Sequence, residues 1–420
     1  MKEAKPYPFC LFLHSEINHM KVFFRRIHLY LSLAAGLVIL ICCLTGAILV
    51  FEKDLQMAIN KDRYYVAKGE QRLSLDQLSK TVKQHFPEMK INGVKVYEDP
   101  ARSVEFSASP APKKEKKTEA PPAGKGKTAA PAGRQPGFTI FVNPYTGAVL
   151  EKYSYRETFF YQVFALHRWL LGGDKSIGKY IVGISTLIFL FILITGIILW
   201  WPKTKKILKQ RLTVKWDANW KRVNHDFHLV FGFYSAIFLF IFAFTGLAWS
   251  FEWFNKGIYT VTNSSMKPPT PPKSVYADNA DRITFDAALA SAKTIHSDVV
   301  FYNVSAPKDS LETFNVSVLP ADAVHESATS AVYIDQYSGR VAGQLAFADR
   351  NLGARVRSSF KPIHTGSIWG TPSKIIAFIV CLLGVTFPIT GVIMWINRTR
   401  KSKKKSGQKV HAEEEVAVTA

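Results

Sequence analysis

Eleven histidines occur in this 420-residue chain, and five stand where they could do chemistry: His28, His167, His225, His228 and His364. The remaining six fall in polar tails (His14, His19, His411) or in polar stretches between apolar runs (His85, His296, His325). His28 and His228 each lie 17 residues before a Thr-Gly pair, Thr45-Gly46 and Thr245-Gly246. His167 and His364 lie 28 and 26 residues before Thr195-Gly196 and Thr390-Gly391. Ionisable side chains at the ends of apolar helices need partners and mark functional sites, and imidazole is a common axial ligand of haem iron. The competing reading is that interfacial histidines only hydrogen-bond to their neighbours. Two related pairs, each with one member in either half of the chain, favour ligation.

A flat macrocycle between helices needs room. Ser32, Ala35 and Gly36 follow His28 on one helical face, and Gly232, Ser235 and Ala236 follow His228. The same small residues also suit close helix packing. His225 lies three residues before His228 on nearly the same face. Arg25 occupies its position in the first half, so His225 is expected as a reserve ligand or a contact to a haem propionate. Propionates need cationic neighbours: Arg25, Arg26 and Arg222 are placed for them at one face, Arg168, Arg357 and Lys361 at the other. The apolar runs hold no Cys, Asp or Glu cluster of the kind a zinc cage needs. Of the four cysteines, Cys42, Cys43 and Cys381 lie within apolar runs and none, Cys10 included, forms a CxxC pair, so buried structural thiols are expected.

Four apolar stretches pass the length of about 20 residues that a membrane-crossing helix needs: 27–52, 180–201, 225–252 and 375–396. Basic residues crowd their flanks: Lys21, Arg25 and Arg26; Lys203 through Arg222; Arg398 through Lys405. The positive-inside rule then puts 1–26, 202–224 and 397–420 in the cytoplasm. Trp200, Trp201, Trp249, Trp253 and Trp395 mark span ends as interfacial aromatics. The net charge of +22 is thus read as membrane flanks and not as a nucleic-acid footprint. The first apolar run is too long for a signal peptide and lacks a cleavage site, so it is expected to be an uncleaved anchor, with Met20 as an alternative start.

The spans repeat. Thr45-Gly46 through Phe51-Glu52 matches Thr245-Gly246 through Phe251-Glu252 at an offset of 200, and Thr195-Gly196 through Trp200 matches Thr390-Gly391 through Trp395 at an offset of 195. Between spans lie two outer regions, 53–160 and 253–357, each followed by a histidine-bearing segment, 161–179 and 358–374. Each outer region has a helical pattern (75–85 and 285–296) and a hairpin pattern turning at Asn143 or Asp335. The expected fold is a four-helix transmembrane bundle from a tandem repeat, with two small α+β outer domains that depend on the membrane or on each other. A Pro, Ala, Gly and Lys tract at 109–136 is expected to be a disordered insertion.

With these residues placed, the sequence resembles the PepSY-associated transmembrane family, which includes iron-uptake proteins and integral-membrane siderophore reductases. The likeness rests on Arg26-Ile27-His28 before Gly36 and Thr45-Gly46, and on Asn224-His225-Asp226-Phe227-His228 before Gly232 and Thr245-Gly246. His167-Arg168-Trp169, His364-Thr365-Gly366 and the two hairpins complete it over about residues 21–400; the 109–136 insertion departs from the pattern. The resemblance implies two haem b groups, an inner one held by His28 and His228 and an outer one by His167 and His364. Electrons would pass from a cytoplasmic or quinol donor across a bacterial inner membrane to a ferric siderophore or other ferric chelate. Such a chain is a haem-dependent oxidoreductase whose levers are axial ligation, burial and hydrogen bonding. The alternatives are a conduit to another periplasmic acceptor, or a haem-free PepSY protein that binds or regulates a periplasmic peptide or protease. No Rossmann fingerprint, P-loop or HExxH motif is present, so a nicotinamide or flavin donor would be a separate protein.

Overall fold

The computed structural model describes residues 8–111, 137–276 and 280–418, with side chains described for 20–111, 137–276 and 280–400. Most of the expected insertion, 112–136, lies outside the described residues. The first half runs α1 (Pro8–Val50), α2 (Glu52–Ile59), α3 (Lys61–Tyr64), α4 (Leu75–His85), β1 (Met89–Tyr97), β2 (Val104–Pro110), β3 (Phe138–Val142), β4 (Val149–Tyr153), α5 (Phe159–Trp169) and α6 (Ile177–Trp200). The second runs α7 (Lys205–Leu212), α8 (Trp220–Ser250), α9 (Glu252–Val261), α10 (Phe285–Lys293), β5 (Val299–Ser305), β6 (Phe314–Pro320), β7 (Ser330–Ile334), β8 (Val341–Leu345), α11 (Leu352–His364) and α12 (Thr371–Val418). The chain divides into a helical unit (Met1–Phe51, Val163–Asn255, Phe360–Ala420) and a sheet unit (Glu52–Gln162, Lys256–Ser359).

In the helical unit, Met20–Val50, Ile177–Trp200, Trp220–Ser250 and Thr371–Arg400 are each long and apolar enough to cross a membrane. Packing closes them into a ring, with α1 and α8 each touching both α6 and α12. Ala35, Ile39, Cys43, Ile192, Leu239 and Val380 form the central cluster. On the face of α1 that follows His28, Ala35 is 1% exposed and a Cβ at Gly36 would lie 3.6 Å from Pro388 Cβ. Between apolar helices, close van der Waals approach is itself the attraction, and small residues permit it. Ser235 and Ala236 on α8 are buried likewise, whereas a Cβ at Gly232 would meet nothing within 4 Å.

The sheet unit shows how the two outer α+β regions depend on each other. Its strands form one eight-stranded antiparallel sheet in the order β4-β3-β2-β1-β5-β6-β7-β8. Each half supplies a four-stranded meander, and β1 pairs with β5 to join them. The pairing removes an exposed edge from each half and merges two cores too small to be stable alone. Alternate strand positions, among them Val94, Phe106, Ile140, Val304 and Val316, face α4 and α10 in one shared core. Helix α4 starts and stops at the expected residues, while α10 ends at Lys293, three residues short. Both hairpins form where read, and their turns use Gly147 and Gly339 at positive φ.

The two helices are tied at their N-termini. Ser74 and Gln77 make a capping box on α4. Asp286 of α10 reaches across to accept hydrogen bonds from Leu75 N and Asp76 N, both at 2.8 Å. Asp76 returns the contact to the Phe285 backbone, and its burial, with the Asp286 carboxylate alongside, raises its pKa. Asp286→Ala should destabilise the sheet unit by about 1–2 kcal/mol, the usual worth of a cap. Hydrogen exchange at the Leu75 and Asp76 amides reads this directly; unchanged protection would show that the cap is not what holds the helices.

Candidate functional site

A histidine ring inside an apolar bundle must hydrogen-bond through its polar atoms or destabilise the fold. In this bundle four histidines meet the demand in one way. His28 Nδ1 on α1 lies 3.0 Å from Thr195 Oγ1 and 3.1 Å from the Ile192 carbonyl oxygen on α6. His167 Nδ1 on α5 lies 3.0 Å from Thr45 Oγ1 and 3.1 Å from the Cys42 oxygen on α1. His364 Nδ1 on α11 lies 3.2 Å from Thr245 Oγ1 and 2.9 Å from the Phe242 oxygen on α8. His228 Nδ1 on α8 lies 2.7 Å from Thr390 Oγ1 on α12.

The Thr-Gly pairs that mark the repeat in the sequence are thus the histidine cradles. Each threonine hydroxyl donates to the carbonyl four residues earlier, at 2.6 Å for Thr45, 2.8 Å for Thr195, 2.7 Å for Thr245 and 2.9 Å for Thr390. With its proton committed, Oγ1 is left to accept, and Nδ1–H is the donor. The following glycine clears space for the ring. A Cβ at Gly196 would stand 3.3 Å from His28 Cε1, and one at Gly246 3.2 Å from His364 Cε1. At Gly46 and Gly391 the corresponding distances are 3.6 Å to His167 and to His228. Sequence reasoning treated these threonines only as repeat markers; their recurrence next to glycine, once per histidine, was the available signal.

The Nδ1–H tautomer leaves Nε2 with a free lone pair, the arrangement found when an imidazole ligates a metal. Burial depresses the pKa of His167 to about 4, with His364 close by adding to the effect, so the ring is neutral at physiological pH. Burial also lowers His364. The His167 and His364 ring centroids are 6.1 Å apart. At the other end of the bundle His28 and His228 are close enough to interact electrostatically. So each pair combines one histidine from either half of the chain, while each cradle comes from the same half as its histidine.

Short helices aim the second pair. Helix α5 ends just past His167 in two left-handed residues, Leu170 and Leu171 (φ 49° and 68°), and the chain turns straight into α6. Gly178 permits that turn, since a Cβ there would collide with the Trp169 carbonyl.

The remaining expected site residues are placed as follows. His225 has no Thr-Gly cradle; its ring is half exposed and Nδ1 lies 3.3 Å from Asp226 Oδ1. Asp226 is buried and also accepts from Arg222 Nε at 2.7 Å. Arg25 and Arg26 are exposed, with Arg25 near Arg398. Arg168 Nη2 donates to the Trp249 carbonyl at 3.4 Å and lies 4.0 Å from Asp174. Lys361 is exposed and Arg357 half-buried on α11. Cys42, Cys43 and Cys381 are free thiols. Among the described residues no group of three or more His, Cys, Asp or Glu side chains could hold a metal ion.

In protein without bound ligand at neutral pH, 15N NMR of labelled histidine should find His28, His167, His228 and His364 as the Nδ1–H tautomer, with Nε2 unprotonated. Protonated Nε2 at these four rings would contradict the cradles.

The model of the family described as "PepSY-associated TM region" matches residues 25–398. No curated protein matches the chain.

Proposed function

We propose that this chain, which belongs to the PepSY-associated TM family, is a di-haem oxidoreductase that carries electrons across a bacterial inner membrane to reduce ferric siderophores. The observation that carries the reading is the set of four cradled imidazoles, paired across the two halves, each with Nε2 left free. A bare zinc ion takes four ligands and other ions more, whereas each pair here offers two. Haem carries nitrogen donors of its own, so two imidazoles from the protein would suffice to hold it.

On this reading His28 and His228 hold one haem and His167 and His364 the other. When bound, haem supplies reversible one-electron transfer. The protein's part is to fix the imidazole planes through the threonine hydroxyls, to tune ligand basicity through the Nδ1–H bonds, and to keep water from the bundle core. Arg25, Arg26, Arg222, Arg168 and Lys361 are the cations nearest the four histidines in sequence and suit propionates. The basic segments at both chain ends and between α6 and α8 set the orientation, with termini cytoplasmic and the sheet unit periplasmic. The repeat is read as tandem, with one PepSY-type meander and two histidines per half. The donor is a quinol or a cytoplasmic reductase, and the acceptor a ferric chelate, from which the more weakly held Fe(II) leaves.

Purified protein should contain two haems per chain. His28→Ala and His228→Ala should each remove the same one, and His167→Ala and His364→Ala the other, as read by pyridine haemochrome content and reduced spectra. Loss of both haems from any single change, or of neither, overturns the assignment. Thr195→Val, which keeps shape but removes the acceptor, should weaken the His28 haem about 10–100-fold, as loss of a partner behind a metal ligand does, and leave the other intact.

A further inference from the structure

Lys95 stands at the centre of the eight-stranded sheet, on the face that α4 and α10 do not cover. Across the ladders it faces Glu105 on β2 and Asn303 on β5. With Thr139, Phe301 and Ser317 these residues line a cavity of about 260 Å³, within reach of the size that holds a small ligand.

No carboxylate lies within ion-pair distance of Lys95, although Glu105 and Glu326 act on it from further away. Its Nζ sits 4.0 Å from the Phe301 ring centroid and 4.6 Å from that of Tyr97, and it makes no hydrogen bond or ion pair to the described residues. Glu105, its natural cross-strand partner, is instead held by Tyr97 Oη at 2.9 Å and Arg102 at 3.4 Å. Glu326, the other carboxylate that acts on it, pairs with Lys53 at 3.8 Å. Burial accordingly lowers the pKa of Lys95. The side chains of Thr139, Asn303 and Ser317 likewise have no hydrogen-bond partner among the described residues.

The sheet itself does not require this lysine. Pro110 ends β2 and Pro320 ends β6, an offset of 210 that also relates Asp76 to Asp286. By that offset Val94 and Val304 are equivalent, and they pair with each other at the join. Lys95 then corresponds to Ser305, so the same place in the ladder is filled by a serine on the other side. A half-buried cation whose near partners are ring faces and whose carboxylates lie further off keeps the capacity to pair with one more anion.

We propose that this cavity binds a small organic monoanion with a flat apolar body, of the aromatic carboxylate class. The carboxylate pairs with Lys95 Nζ, the ring packs on Phe301, and Asn303, Ser317 and Thr139 take polar substituents. The site belongs to the sheet unit and stands or falls independently of haem ligation.

The test is isothermal titration calorimetry of the full chain in detergent, with 4-hydroxybenzoate as probe and the uncharged 4-hydroxybenzamide as its control. Wild type should give saturable binding at one site per chain, with the amide binding at least about tenfold more weakly, the worth of one charge-assisted contact. Lys95→Met should lose about tenfold or more, Lys95→Arg should stay within about threefold, and Asn303→Ala should fall between them. Lys95→Met should melt no lower than wild type, since it removes a buried charge; should it fail to fold, Ser317→Ala and Asn303→Ala carry the test. No saturable heat, equal binding of acid and amide, or equal binding by Lys95→Met and wild type overturns the proposal, the last by showing that the probe sits elsewhere or in detergent.

Discussion

A neutral imidazole inside an apolar bundle has one donor and one acceptor, and the donor cannot be left unpaired without a penalty of about 1–3 kcal/mol. Here a single device answers that penalty four times. A threonine hydroxyl, already committed to its own helix, turns its lone pair to Nδ1–H, and the next residue, glycine, gives the ring its berth. The direction of the hydrogen bond matters as much as its presence. By fixing the proton on Nδ1 it leaves every Nε2 with a free lone pair, and everything proposed for electron transfer depends on that tautomer.

The halves of the chain are bound to one another by different means in the two units. In the helical unit each histidine is cradled within its own half, while the histidine pairs join the halves. In the sheet unit β1 pairs with β5, and Asp286 caps α4 across the join. Neither meander keeps a free central edge, and neither helix N-terminus is satisfied by its own half alone. The two halves therefore fold as one body in the sheet unit, for the ordinary reason that four short strands and one helix bury too little. Symmetry of backbone leaves room for asymmetry of side chain, and Lys95 opposite Asn303 is where that shows.

Some elements were plainly legible from sequence and others only partly. Helix α4 follows the helical pattern of 75–85, and in the structure Ser74 and Gln77 cap it while Leu75, Leu78 and Val82 form its buried face. The hairpins were read from Asn143-Gly147 and Asp335-Gly339, where turn chemistry is local. The small-residue faces were ambiguous, since Ala and Gly serve both as clearance for a macrocycle and as contact between helices; on α1 contact won, with Gly36 against Pro388. His225 shares a face with His228 in the sequence, yet its bond to Asp226 sets it apart from the cradled four.

The sequence by itself determined the four apolar spans, the family, and the four histidines that stand in register with four Thr-Gly pairs, because hydropathy, turn residues and repeats are carried by neighbours along the chain. It could not say which threonine serves which histidine. Each cradle joins residues 119 to 167 positions apart, and the same spacing would have allowed other pairings. Nor could it say that two meanders share one sheet, or that Lys95 meets ring faces where Glu105 turns to Arg102. Those were decided by packing, where strands choose partners to hide their edges and a carboxylate chooses the nearer of two cations.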